Sequence, residues 1–211
     1  MRTVLCYGDS NTWGSIPMTH LEDRRRFGIG ERWPGILRQQ LGDDWHVVEE
    51  GLPGRTICRD DPVEGSDRNG LTYLLPCLHS HRPLDFVVLK LGTNDLKARF
   101  GASAAQIADG LHALVEIVNA NSRLDGKPPR LLIVCPAPIL DVGPLRAMFF
   151  GGSLKSRQFG ALYGAVASQH DALFLDAGAV ISSSSIDGIH LEKDAHAIIG
   201  GEVAKIVRGA C

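Results

Sequence analysis

The sequence predicts an α/β fold: a three-layer α/β/α sandwich on a five-stranded parallel sheet. Three observations carry that expectation. Five short apolar runs, Thr3–Tyr7, His46–Glu49, Phe86–Leu91, Leu131–Cys135 and Leu173–Leu175, are rich in Val, Leu, Ile or Phe. They show little alternation, as strands buried on both faces do. Helical periodicity separates several of them. Small, polar or ionisable residues follow several run ends, the edge where open α/β sheets hold ligands.

Taken in order, the first run breaks into Gly8-Asp9-Ser10-Asn11, with Thr12-Trp13-Gly14 behind it. Pro34 ahead of Ile36, Leu37 and Leu41 predicts a helix with proline in its first turn. The second run passes into Glu50-Gly51-Leu52-Pro53-Gly54-Arg55-Thr56, and the third into Gly92-Thr93-Asn94-Asp95. Ser103 and Gln106 have the spacing of a capping box before the apolar face Ile107, Leu111, Leu114, Val115 and Val118. The fourth run leads to Pro136 and Pro138. Phe159, Leu162, Tyr163 and Val166 mark another helix face. The fifth run is followed, a dozen residues on, by Asp187-Gly188-Ile189-His190. Ala195, Ile198, Ile199, Val203 and Ile206 line a C-terminal helix. Right-handed crossovers between parallel strands then place helices on both faces. Ser15–Arg32 and Ile139–Gly152 are long irregular stretches, a length at which loops tend to be functional. No linker, repeat or low-complexity tract interrupts residues 1–211, so one domain is expected.

A chain of 211 residues supports one sizeable core. Its 44% apolar and 22% charged residues are the balance of a soluble globular domain. A net charge of -2 gives no broad basic surface, so nucleic acid is not an expected partner; Arg24-Arg25-Arg26 reads as a solvated run. No apolar run reaches the ~18 residues of a membrane span. The N-terminus enters Val4-Leu5-Cys6-Tyr7 directly, without the parts of a signal peptide, and a cytoplasmic location is the expectation. Cys6, Cys58, Cys77, Cys135 and Cys211 are odd in number and widely spaced, which fits reduced thiols. His79 and His81 have chelating spacing but no third ligand near, and read as solvated. No metal and no cofactor is expected.

Ser10 at the end of the first strand admits three readings: a phosphate-cradling turn, a plain turn, or a nucleophile. A serine hydroxyl attacks only when a base takes its proton, and that base is commonly a histidine oriented by a carboxylate. His190 has such a carboxylate three residues away, at Asp187. Gly54 and Asn94, after the second and third strands, can face Ser10 and supply oxyanion donors. Gly-x-Ser-x-Gly, Walker A and Gly-x-Gly-x-x-Gly are all absent, which argues against an α/β-hydrolase elbow and against a nucleotide turn.

Gly8-Asp9-Ser10, the turn Gly51–Gly54, Gly92-Thr93-Asn94-Asp95 and Asp187-x-x-His190 resemble the four signature blocks of the SGNH (GDSL-type) hydrolases, in the family's order. The resemblance implies a flavodoxin-like sandwich and a serine esterase. It implies Ser10 as nucleophile, His190 as base and Asp187 as orienting acid. The Ser10 and Gly54 amides and the Asn94 side chain would form the oxyanion hole. Gly8-Asp9-Ser10-x-Thr12-Trp13-Gly14, Glu49-Glu50-Gly51-Leu52, Leu91–Asp95 with Lys97, and Asp176-Ala177-Gly178 resemble one branch more closely, the small bacterial arylesterases and acyltransferases. That branch implies short acyl esters, acyl transfer to alcohols beside hydrolysis, and a homo-oligomer whose long loops narrow the site. Glu50 departs from the family, in which many members carry Asn there. Trp13, Asn11 and Thr93 are candidate substrate contacts. Asp9 is expected to tie the turn, and Lys90 to snorkel to the sheet end or meet an acid. Met148-Phe149-Phe150 is either loop packing or a subunit contact. Deacetylation of an acetylated sugar would use the same residues. A flavodoxin-like ligand-binding module would leave Asp187 and His190 without a role.

Overall fold

Five parallel strands form one sheet in the order β2-β1-β3-β4-β5. They are β1 (Arg2–Gly8), β2 (Trp45–Gly51), β3 (Phe86–Lys90), β4 (Arg130–Cys135) and β5 (Leu173–Asp176). The helices are α1 (Ser10–Trp13), α2 (Trp33–Leu41), α3 (Gly70–Ser80), α4 (Ala104–Ser122), α5 (Gly152–Ser156), α6 (Phe159–Gln169) and α7 (Lys193–Gly209). The computed structural model describes residues 1–122 and 129–210; Cys211 lies outside the described residues. Among these, no helix is long and apolar enough to cross a membrane.

The strands alternate strictly between two apolar layers, because successive side chains leave a strand on opposite faces. Leu5, Tyr7, Val87, Leu89, Leu131 and Ile133 pack with α3, α4 and α6. Val4, Cys6, Phe86, Val88, Leu132 and Val134 pack with α2 and α7. Both faces of the inner strands are therefore dry, which is why their sequences are continuously apolar. The edge strand β5 differs from the expectation of a doubly buried strand. All four of its residues are half-buried.

Each expected strand is present. The third ends at Lys90 rather than Leu91, since Lys90 is the last residue paired to β1, opposite Gly8. The capping box at the head of α4 forms reciprocally, with the Ser103 N–H donating to Gln106 Oε1 (3.0 Å) and the Gln106 N–H to Ser103 Oγ (3.2 Å). α3 was not expected. It carries Pro76 in its interior, which weakens the helical signal. Its start is held by Asn69 Oδ1, which accepts from the Leu71 and Thr72 N–H groups.

The strand order reverses direction between β1 and β3, the switch point at which such sheets bind ligands beyond their carboxyl ends. Ser10 follows β1 and Asn94 follows β3, so the two sit at that point.

Candidate active site

The Gly8-Asp9-Ser10 turn leads from the end of β1 into the one-turn helix α1. Asp9 caps α1, its Oδ1 accepting the Asn11 N–H at 3.0 Å, as expected for a residue that ties the turn. Gly8 is required by space. A Cβ there would stand 2.0 Å from Thr12 Oγ1 and 2.9 Å from the Lys90 carbonyl. Lys90 does not snorkel. It is buried, burial lowers its pKa, and the nearby Asp9 carboxylate works against that shift.

The Asp187–His190 turn lands on this edge. His190 Nε2 lies 3.1 Å from Ser10 Oγ, and His190 Nδ1 lies 2.6 Å from Asp187 Oδ2. Asp187 is fully buried. Its Oδ1 accepts the Ile189 and His190 N–H groups at 2.9 Å each, and its Oδ2 accepts the Met18 N–H at 2.7 Å. Burial alone would raise the Asp187 pKa. The His190 side chain and the backbone donors outweigh it, and the carboxyl lies below the usual carboxylate range. Asp187 is thus held as an anion, which requires the proton on His190 Nδ1 and leaves Nε2 to accept from Ser10.

Both long irregular stretches reach this turn. Met18 comes from the first. From the second, the Leu140 N–H donates to the Gly188 carbonyl at 2.9 Å. The Met148-Phe149-Phe150 cluster divides: Phe149 is buried in the layer of α4 and α6, and Phe150 is 77% exposed.

The oxyanion side is built from β2 and β3. Gly54 has φ +82°, in the left-handed region that favours glycine. Neither its N–H nor that of Ser10 donates within the described protein. Asn94 is buried and donates one side-chain N–H to the Arg55 carbonyl at 3.1 Å, so its second N–H remains available. An ion cluster whose Asp61 and Lys97 are buried and whose Glu64 and Arg99 are half-buried braces both segments. Lys97 Nζ donates to Asp61 Oδ2 (3.1 Å) and Glu64 Oε1 (2.7 Å), and Arg99 Nη2 donates to the same atoms (2.5 and 2.9 Å).

The three expected substrate contacts fare differently. Asn11 is buried, and its amide bonds the backbone on either side of His190. Nδ2 donates to the Ile189 carbonyl (3.2 Å) and Oδ1 accepts the Leu191 N–H (3.1 Å). Its amide thus braces the backbone on either side of His190. Thr93 is buried at the entry to the Asn94 turn, and its hydroxyl makes no hydrogen bond among the described residues. Trp13 is half-buried. Its ring lies under the Arg26 guanidinium at 4.5 Å, and its carbonyl accepts from Arg26 Nε at 2.7 Å.

Arg55 was missed. It is buried, and its Nη1 donates to the Gly8 carbonyl at 2.9 Å and to the Glu50 carbonyl. Its guanidinium covers the Tyr7 ring at 4.2 Å. One residue therefore ties the strand before the nucleophile to the glycine turn and orients Asn94 through its own carbonyl. A lone arginine in a turn carries no signal for that. Glu50, the departure from the family pattern, accepts from His81 Nε2 through Oε1 at 2.8 Å, and Cys77 lies beside them. His79 is not part of this group, so the pair His79 and His81 gains no third ligand; His81 instead meets Glu50 and Cys77. Helix α3 and the end of β2 bring together what the sequence separates.

Together the arrangement can deprotonate a hydroxyl at Ser10 and hold the resulting imidazolium against a buried anion.

Known proteins share this architecture. The chain is 40% identical to the aryl esterase of M. smegmatis, with 99% of each chain covered and a TM-score of 0.95. It is 39% identical to a carbohydrate acetylesterase from Sinorhizobium meliloti, with 100% of each covered and a TM-score of 0.92. A lipase/acylhydrolase from Enterococcus faecalis, 16% identical, covers 100% of this chain and 97% of its own with a TM-score of 0.71, a likeness of fold alone. No curated protein sequence matches the chain. Residues 6–198 match the GDSL-like lipase/acylhydrolase family, and the chain belongs to that family.

Proposed function

We propose that the protein is a serine esterase that hydrolyses short-chain acyl esters through an acyl-enzyme on Ser10. The observation that carries this is the continuous hydrogen-bonded line Ser10 Oγ, His190, Asp187, at 3.1 and 2.6 Å. Ser10 Oγ attacks the ester carbonyl as His190 Nε2 takes its proton. The Ser10 and Gly54 N–H groups and the free Asn94 N–H donate to the oxyanion. His190 returns the proton to the leaving alkoxide or phenoxide, which departs with the C–O electron pair. Water then attacks the acyl-enzyme by the same route.

The same geometry allows an alcohol to take the place of that water, giving acyl transfer. It also serves O-deacetylation of a sugar, a reading favoured by the likeness to the Sinorhizobium acetylesterase. Release of acetate from an acetylated sugar, set against release from an aryl acetate, separates the two. Apolar side chains exposed on and beside the second long loop, Leu140, Val142, Phe150, Leu154 and Ile186, support self-association, which sedimentation measures directly. Cys6, Cys58, Cys77 and Cys135 are free thiols, which fits a cytoplasmic setting.

The decisive experiment is p-nitrophenyl acetate turnover by the wild type and by Ser10→Ala, both shown to be folded by circular dichroism. The variant is expected to lose on the order of 10⁴-fold or more in turnover. Equal turnover by the two proteins would end the serine esterase reading.

A further inference from the structure

About the oxyanion turn, the structure holds a second cluster of reactive side chains that the esterase chemistry does not use. Cys77 and His81 lie four residues apart, on one face at the end of α3. Glu50 reaches them from the end of β2. One atom from each, the thiol sulfur, an imidazole nitrogen and a carboxylate oxygen, lies within 4.8 Å of the other two. His81 Nε2 and Glu50 Oε1 are 2.8 Å apart.

We propose that Glu50, Cys77 and His81 form a binding site for a divalent transition-metal ion of zinc type. One sulfur, one nitrogen and one oxygen donor are three ligands of a tetrahedral site, and a soft thiolate selects such ions over magnesium or calcium. The Cys77 thiol is fully buried and makes no hydrogen bond among the described residues. The Glu50 and His81 side chains are 20% and 29% exposed, which gives the ion an entry path and leaves the fourth position to water.

Charge balances at the site. A thiolate and a carboxylate neutralise a divalent ion, and the thiol proton leaves to solvent on binding. Without an ion, burial first and then Glu50 push the Cys77 thiol up to about 12, while Arg55 works against them. Arg55 is the cation that faces the cluster. Its Nη1 is turned to the Gly8 and Glu50 carbonyls, so it favours the thiolate without occupying the ligand position. The ion would latch the C-terminal end of α3 to the strand that opens into Gly51–Gly54, a structural role.

Cobalt(II) titration of chelator-treated protein tests this. The expected result is a thiolate-to-cobalt charge-transfer band with strong visible bands of tetrahedral cobalt, saturating at one equivalent. Zinc should displace it and raise the melting temperature. Cys77→Ser and His81→Gln should each lose the charge-transfer band, whereas Cys58→Ala should keep it. Circular dichroism and p-nitrophenyl acetate turnover show whether each variant is folded. Absence of the band in the wild type, or its persistence in Cys77→Ser, would overturn the site. Ester turnover in the presence of chelator stands on Ser10 and is read separately, so failure of the metal site leaves the esterase reading intact.

Discussion

The Asn94 side chain donates to the Arg55 carbonyl at 3.1 Å, and this single bond fixes which way its amide faces. With one N–H held, the other is presented without reorganisation when charge develops on the substrate. Asn94→Ala is therefore expected to lower kcat by on the order of 10²–10³ with the fold retained. Steady-state kinetics on p-nitrophenyl acetate check it; an unchanged kcat would remove Asn94 from the oxyanion hole.

The Asn11 amide bonds the backbone on either side of His190, so its removal should be felt at the base. Asn11→Ala removes the partners of the Ile189 carbonyl and the Leu191 N–H, both buried. Each orphaned group costs about 1–3 kcal/mol. Stability in urea should fall accordingly. The kinetic loss should appear in kcat with KM little changed, since the His190 ring loses its anchor while the pocket does not. A rise in KM alone would return Asn11 to substrate binding.

Gly54→Ala strains the oxyanion turn twice over. The residue has φ +82°, and a Cβ would stand 2.2 Å from Glu64 Oε2. The backbone strain is about 1–3 kcal/mol. Glu64 can swing away only by loosening its bonds to Lys97 and Arg99. Both the melting temperature and kcat should drop, measurable by thermal unfolding and ester turnover.

His196 makes the fold sensitive to acid. It is fully buried, its Nδ1 accepts the Trp33 N–H at 3.3 Å, and its pKa is lowered to about 3. Burial is the main cause, with Lys90, His190 and Arg32 adding to it. The unfolded chain takes up this proton near pH 6.5, whereas the folded chain refuses it until about pH 3. The stability is present above about pH 6.5 and is lost as pH falls toward 3. His196→Gln, which retains an acceptor, should show a shallower loss of urea stability across that window.

Asp95 works in the opposite sense. Burial raises it to about 7 against the pull of the Ile57 N–H and of Arg59. Between about pH 4 and 7 the folded chain holds a proton that the unfolded chain has released. Stability from this group is full below about pH 4 and is lost as pH rises through 7. Wild type measured against Asp95→Asn in urea should therefore lose ground from pH 4 to pH 8. A flat difference would show that Asp95 is ionised throughout.

The sequence by itself determined the layers and the candidate reacting groups. Short continuous apolar runs fit strands with both faces covered, as β1, β3 and β4 are, and small or ionisable residues after them fit the sheet's ligand edge. Ser10 was legible on that ground, Asn94, Asp187 and His190 with the added resemblance of four motif blocks in order, and the reciprocal bonds of Ser103 and Gln106 from their spacing. The tertiary structure alone decided who supports whom. Arg55 and Asn94 are 39 positions apart and Asn11 and Ile189 are 178 apart, and each pair meets through a backbone carbonyl, a group every residue carries. No residue type announces such a partner. The helix that gathers Cys77 and His81 was masked by Pro76, and Glu50 reaches it from another strand. Periodicity reports which face of an element is buried; only the order and register of the strands set which distant side chains share an edge.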